Sequence, residues 1–372
     1  LNKLRNNGAI VSIVTLTLGL IILTLGSEFL VRGASRLAAA FGLSPLVIGL
    51  TVVAFGTSAP ELVVSIQSTL AGQDDVAFGN VLGSNIMNVL FILGISAVIV
   101  PLQVSRQLIR FDLPLMVALS GLIAYMAFDS RIDRMDGLLL SIGLVVYITW
   151  SVIKSRREQS ELKVQNGSEV RTDVIGSGPR ETILNVILLL AGLGMLVLGS
   201  RWFIDSAVVI ARLLGVSEFI IGVTIVATGT SLPEVATSVM AAIRGERDIA
   251  VGNVVGSNLF NIMGVLGISS VVSPHGINIS PSALQFDLPV MIAVAVACLP
   301  VFFTGRIISR WEGGLFLTYY FAYVLSIVIS VTSPELSKLF STLMLVAIPL
   351  TVIALLVSVV TYVRSEKRRA TA

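Results

Sequence analysis

Residues 54–61 read AFGTSAPE and residues 227–234 read ATGTSLPE. Thr57, Ser58, Pro60 and Glu61 thereby recur as Thr230, Ser231, Pro233 and Glu234. Each phrase sits inside an otherwise apolar stretch. A charged side chain there costs about 2.5 to 3.5 kcal/mol on insertion scales, so each glutamate has to face protein, water or an ion. Proline in mid-helix removes an amide and crowds the carbonyl four residues back. Pro60 does this at Gly56 and Pro233 at Gly229, so both helices are expected to break at membrane depth and free carbonyls. Irregular backbone at that depth is tolerated only where it is buried in protein or lines a watery cavity.

Composition sets the surroundings. The 372 residues are 55% hydrophobic and 13% charged, with a mean hydropathy of +0.94, which is too apolar for a soluble domain. Spans of about 20 apolar residues cross about 30 Å of hydrocarbon as helices. Eleven are expected, near 9–31, 44–71, 76–100, 111–128, 136–153, 183–210, 217–243, 249–273, 286–304, 312–331 and 338–363. The net charge of +3 arises from basic residues lying mostly between spans, which speaks for topology and against a nucleic-acid partner. Cys298 is the only cysteine, so neither a disulfide framework nor a thiolate metal site is available. The chain begins at Leu1 rather than a methionine, so a processed signal, a trimmed tag or further residues are expected to precede it.

At an offset of 173 the two halves match well beyond the opening phrase. Gly49 pairs with Gly222, Thr51 with Thr224, Gly79 and Asn80 with Gly252 and Asn253, Gly83 to Asn85 with Gly256 to Asn258, and Asn88 with Asn261. Residues 154–180 are polar and read as a flexible linker between two five-span halves. Five is odd, so the second half enters the membrane from the opposite side. The expected fold is an all-α polytopic membrane protein: a ten-helix core of two inverted five-helix repeats, 1–153 and 181–331, plus one C-terminal helix and a basic tail within 332–372. Loops on the linker side hold 18 Lys and Arg residues against 6 on the other, which places the linker and C-terminus in the cytoplasm and the N-terminus outside.

Asn80, Ser84 and Asn88 recur every four residues and form one polar stripe, repeated as Asn253, Ser257 and Asn261. With Thr57, Ser58, Glu61 and their twins, every candidate ligand is an oxygen donor, as hard cations require. Inversion brings Glu61 and Glu234 together, and two carboxylates neutralise one divalent or two monovalent cations, so calcium and sodium can compete for one pocket. Other polar residues have plainer readings. Gly79, Gly83, Gly252 and Gly256 read as helix-packing positions. Asp75, Asp248, Asp112 and Asp287 read as helix caps, Glu28 and Arg201 as snorkelling side chains, and His275 as solvated. Hydrolytic and nucleotide motifs such as H-E-x-x-H, G-x-S-x-G and the Walker loop are missing from the sequence, so an enzyme is not expected.

The doubled GTS-x-PE followed by GN-x-x-GSN resembles the signature of the calcium/cation antiporter superfamily, specifically the sodium/calcium exchangers. The resemblance covers residues 1 to about 331. It implies calcium bound by Glu61 and Glu234 with the backbone oxygens of Thr57 and Thr230. It also implies sodium bound by the Ala54 carbonyl with Ser58 and Ser84, and by the Ala227 carbonyl with Ser231 and Ser257, while Asn88 and Asn261 complete the middle. Amides at both 88 and 261 favour potassium independence, and calcium/proton exchangers carry a different glutamate motif. Spans 1 and 6, punctuated by Gly19, Gly26, Gly33, Gly192, Gly194 and Gly199, would slide against the rest. The expectation is a monomeric sodium-for-calcium antiporter of a prokaryotic plasma membrane, with calcium and sodium as transported ions, the bilayer as its setting and no cofactor. A cation channel is the rival from another class, but channels usually use ring symmetry.

Overall fold

The structure, a computed structural model, describes residues 2–165, 179–216, 221, 225 and 228–371. Among these, nine helices are long and apolar enough to cross a membrane, and a bent pair, Pro45–Thr57 and Ala59–Leu70, forms a tenth span broken by 45°. The seventh expected span is represented by the shorter helix Leu232–Ile243. Residues 166–178 of the expected linker, with Gly222, Thr224 and Ala227, lie outside the described residues. The linker is shorter than its composition suggests, because the fifth-span helix runs from Arg134 to Gln165. Its polar end is rich in strong helix formers, and Lys154 and Glu158 pair one turn apart.

Four two-residue strands report the inversion. β1 (Leu102–Gln103) follows span 3 and pairs antiparallel with β4 (Ile307–Ile308), which follows span 9. β2 (Arg131–Ile132) follows span 4 and pairs with β3 (Ile277–Asn278), which follows span 8. Span 4 separates β1 from β2, so the two ladders lie at opposite ends of the molecule. β1 and its repeat equivalent β3 are therefore at opposite ends, which only an inverted repeat produces.

The third and eighth spans, Asp74–Ile99 and Arg247–Val272, form the buried centre, at 72% and 89% buried in their most apolar stretches. The last helix, Pro334–Thr371, is 6% buried by the same measure and touches only the helices of spans 9 and 10 in any number. Spans 1 and 6 pack backbone to backbone. A Cβ at Gly26 would lie 3.0 Å from the Gly192 carbonyl oxygen, and one at Gly192 would lie 2.6 Å from the Leu30 nitrogen. Gly19 and Gly199 repeat this contact one heptad away, whereas Gly194 faces open space. The packing reading of Gly252 and Gly256 holds, against Leu46 and Leu50 of span 2. A Cβ added at Gly79 or Gly83 would meet no described atom beyond its own helix within 4 Å, so the packing role expected of these two is not seen.

Several plainer readings need correction. Asp112 and Asp287 make no cap; each accepts a tyrosine hydroxyl, from Tyr147 at 3.0 Å and Tyr323 at 2.8 Å. Their helices enter through π turns (Leu108–Asp112, Ala283–Asp287), so no free amides await a cap there. Asp75 and Asp248 stand inside first turns whose N-cap positions are Gln73 and Glu246, so neither is the cap residue, and Asp75 instead accepts the Ser280 amide at 3.1 Å. Glu28 does not snorkel. It is buried and paired with Arg32 and with Arg244, whose Nη2 lies 2.6 Å away, tying span 1 to the end of helix Leu232–Ile243. Arg201 and His275 are exposed, as expected.

Candidate cation site

The two phrases meet at the centre. The first helix of the broken pair ends at Thr57, Ser58 takes φ −83° and ψ 6°, and the second begins at Ala59, so Glu61 stands in its first turn. Ser231 repeats this with φ −88° and ψ 5° before Leu232–Ile243, with Glu234 in the first turn. The proline within each first turn lacks the amide that would continue the preceding helix, and a carboxylate is favoured at a helix N-terminus. Both glutamates are buried and close enough for their charges to act on each other, and neither has an ion-pair partner among the described residues.

Hydrogen bonds cross between the repeats. Ser58 Oγ donates to Glu234 Oε1 at 2.9 Å, and Ser231 Oγ donates to Glu61 Oε1 at 3.0 Å. Ser231 Oγ also lies 3.3 Å from Ser84 Oγ. In each carboxylate the other oxygen, Glu61 Oε2 or Glu234 Oε2, has no hydrogen-bond partner among the described residues. The same holds for Asn88 Oδ1, Asn261 Oδ1, Ser257 Oγ and Thr230 Oγ1. Buried polar atoms left without partners are costly and rare, so a convergence of oxygens in this state fits a cation as the missing partner.

Thr57, Ser58, Glu61, Ser84, Asn88, Ser231, Glu234, Ser257 and Asn261 are buried together across spans 2, 3 and 8 and helix Leu232–Ile243. The Ala54 carbonyl accepts the Ser58 amide at 3.0 Å and the Thr57 hydroxyl at 3.4 Å. Thr57 Oγ1 also reaches Asn253 Oδ1 at 3.2 Å, so that hydroxyl binds protein, as expected for an intramembrane threonine. The Gly229 carbonyl freed by Pro233 is taken by Ser200 Oγ of span 6 at 2.9 Å. Asn80 and Asn253 brace the broken helices by donating to Ser65 and Ser238, both at 2.9 Å.

Reading the sequence missed two further amides. Asn88 Nδ2 donates to Asn258 Oδ1 at 2.9 Å, and Asn261 Nδ2 donates to Asn85 Oδ1 at 3.1 Å. Asn85 and Asn258 were visible as the last letter of each GSN, but they lie off the four-residue stripe. Both stripes change pitch where the site begins, since π turns run from Asn88 to Leu93 and from Asn261 to Leu266. Such widened turns are frequent at functional sites.

An inverted repeat that closes two carboxylates and a shell of oxygen donors into its buried centre is the architecture of a secondary transporter. The chain belongs to the sodium/calcium exchanger protein family, whose model matches residues 11–153 and 184–329. It is 37% identical over 283 residues to inner membrane protein YrbG of Escherichia coli (strain K12), covering 76% of this chain and 85% of that one. It is 32% identical over 350 residues to the sodium/calcium exchanger MaX1 of Methanosarcina acetivorans, covering 84% and 97%. Among solved structures, the sodium-calcium exchanger NCX_Mj soaked with 10 mM Na+ and zero Ca2+ superposes with a TM-score of 0.72 at 30% identity, over 86% of this chain and 99% of that one. The protein is thus a multi-span transporter.

Proposed function

We propose that the chain exchanges sodium for calcium by alternating access of the central pocket. In this reading calcium is held by Glu61 and Glu234 with the backbone oxygens of Thr57 and Thr230. Sodium is held by Ala54, Ser58 and Ser84 on one side and by Ala227, Ser231 and Ser257 on the other, and Asn88 and Asn261 complete the middle. The observation that carries the reading is the reciprocal Ser58 to Glu234 and Ser231 to Glu61 bonding, with one oxygen of each carboxylate left unpartnered. A pocket carrying two unneutralised carboxylates is costly to enclose in low dielectric, so the empty carrier resists switching and exchange is favoured over leak. Amides at positions 88 and 261 support independence from potassium.

The repeats are taken as 1–153 and 181–331, joined by 154–180, whose first part to Gln165 continues the fifth-span helix, and followed by 332–372. The working orientation puts the linker and C-terminus in the cytoplasm of a prokaryotic cell, with the N-terminus outside and a monomer as the transporting unit. The deciding experiment is calcium uptake into sodium-loaded proteoliposomes, with potassium and pH gradients varied separately. Uptake should follow the sodium gradient alone and vanish in Glu61→Gln and in Glu234→Gln. Uptake indifferent to sodium but driven by a pH gradient would replace sodium with protons as the coupling ion. Full activity in both variants would sink the site.

A further inference from the structure

The amides at positions 88 and 261 have two unlike edges, and only the carbonyl edge can ligate a cation. Something must decide which edge faces the pocket. The hydrogen-bond chain supplies an answer on each side. Asn258 Nδ2 points at Met116 Sδ, 3.3 Å away, and Asn85 Nδ2 points at Met291 Sδ, 3.5 Å away. A thioether sulfur accepts weakly and never donates. It therefore favours the amino edge of the neighbouring amide and disfavours the carbonyl edge. With its amino group held by Met116, Asn258 turns Oδ1 toward Asn88, and Asn88 must answer with Nδ2. Asn88 Oδ1 is then left without a partner and available to the site. Met291, Asn85 and Asn261 repeat the chain in the other half, ending at Asn261 Oδ1.

We infer that Met116 and Met291 are positioning residues of the cation site, acting through Asn258 and Asn85 to turn the carbonyl edges of Asn88 and Asn261 toward the ion. All six side chains are buried, so water does not supply the missing preference. The sulfurs are placed by a second repeated phrase, FDLPLM at 111–116 and FDLPVM at 286–291, which sits on spans 4 and 9 rather than on the helices that carry the site. The inference rests on the proposed cation site, and its test is arranged to separate the two.

Calcium binding to the purified full-length chain in detergent is measured by titration calorimetry, beside thermal unfolding. Met116→Leu keeps volume and apolarity, so a packing role alone predicts little change. The positioning role predicts calcium binding weakened about three- to tenfold, the worth of one modest hydrogen-bond preference, at an unchanged unfolding midpoint. A carboxylate offers oxygen on both edges, so in the Asn88→Asp background Met116→Leu should change affinity by less than about twofold. Met291→Leu with Asn261→Asp makes the same test in the other half. Unchanged affinity in both Met→Leu variants, or equal weakening with and without the Asn→Asp change, overturns the inference. Glu61→Gln is the control. If it binds calcium as tightly as the parent, the cation sits elsewhere and the site itself falls; if binding is lost, the Met→Leu results bear on positioning alone.

Discussion

At Ser58 and Ser231 each hydroxyl serves the glutamate of the other repeat, 2.9 Å from Glu234 and 3.0 Å from Glu61. In the proposed site Ser231 is a sodium ligand, and one contact to a charged group is worth about 1.5 to 3 kcal/mol, so Ser231→Ala should lower apparent sodium affinity about tenfold or more. Calcium affinity, carried by the carboxylates, should fall less. Sodium-dependence curves of calcium uptake in proteoliposomes check this, and equal losses for both ions would remove the division of labour between hydroxyls and carboxylates. At this scale the residue types were legible and the pairings were not. A carboxylate in an apolar span announces itself through its cost. Which hydroxyl answers it is settled by partners some 170 positions away. Asn85, Asn258, Met116 and Met291 went unassigned because an amide or a thioether in a membrane helix carries no comparable penalty.

Among the elements, the helix pair Pro45–Thr57 and Ala59–Leu70 breaks as Pro60 requires. Ser58 and Ser231 adopt nearly equal non-helical angles, and the glutamates follow in the next turn. The freed Gly229 carbonyl nevertheless binds Ser200, so a broken helix does not by itself yield an ion ligand. Spans 1 and 6 offer a sharper test of element packing. Their contact is made by Gly19, Gly26, Gly33, Gly192 and Gly199, where an added Cβ would press on backbone within about 3 Å. Gly192→Val should separate the pair, cost about 1 to 3 kcal/mol by overpacking and depress transport, whereas Gly194→Ala should be neutral. Thermal unfolding in detergent with uptake in liposomes reads both. If Gly194→Ala proves as damaging as Gly192→Val, the contact face has been misassigned.

Over the whole molecule, two strand ladders at opposite ends and two crossed Ser–Glu pairs at the centre express one pseudo-twofold axis lying in the membrane plane. The eleventh helix stands outside that symmetry and is 6% buried. A chain ending at Thr332 should therefore fold and retain calcium uptake at half the parent rate or better, since the site and both ladders lie within the remaining residues. Abolished uptake by a well-folded truncated chain would assign the last helix a role in the cycle. The membrane-spanning class, the repeat, its inversion and the two repeated glutamates followed from the sequence alone, because hydrophobic length, an odd span count and the cost of a buried charge are local or additive quantities. Tertiary structure alone decided that each serine serves the opposite glutamate, that Asp112, Asp287 and Glu28 have partners of their own, and that Asn88 pairs with Asn258 and Asn261 with Asn85. Those outcomes depend on which side chains distant spans bring within about 3 Å of one another, and no spacing along one helix encodes that.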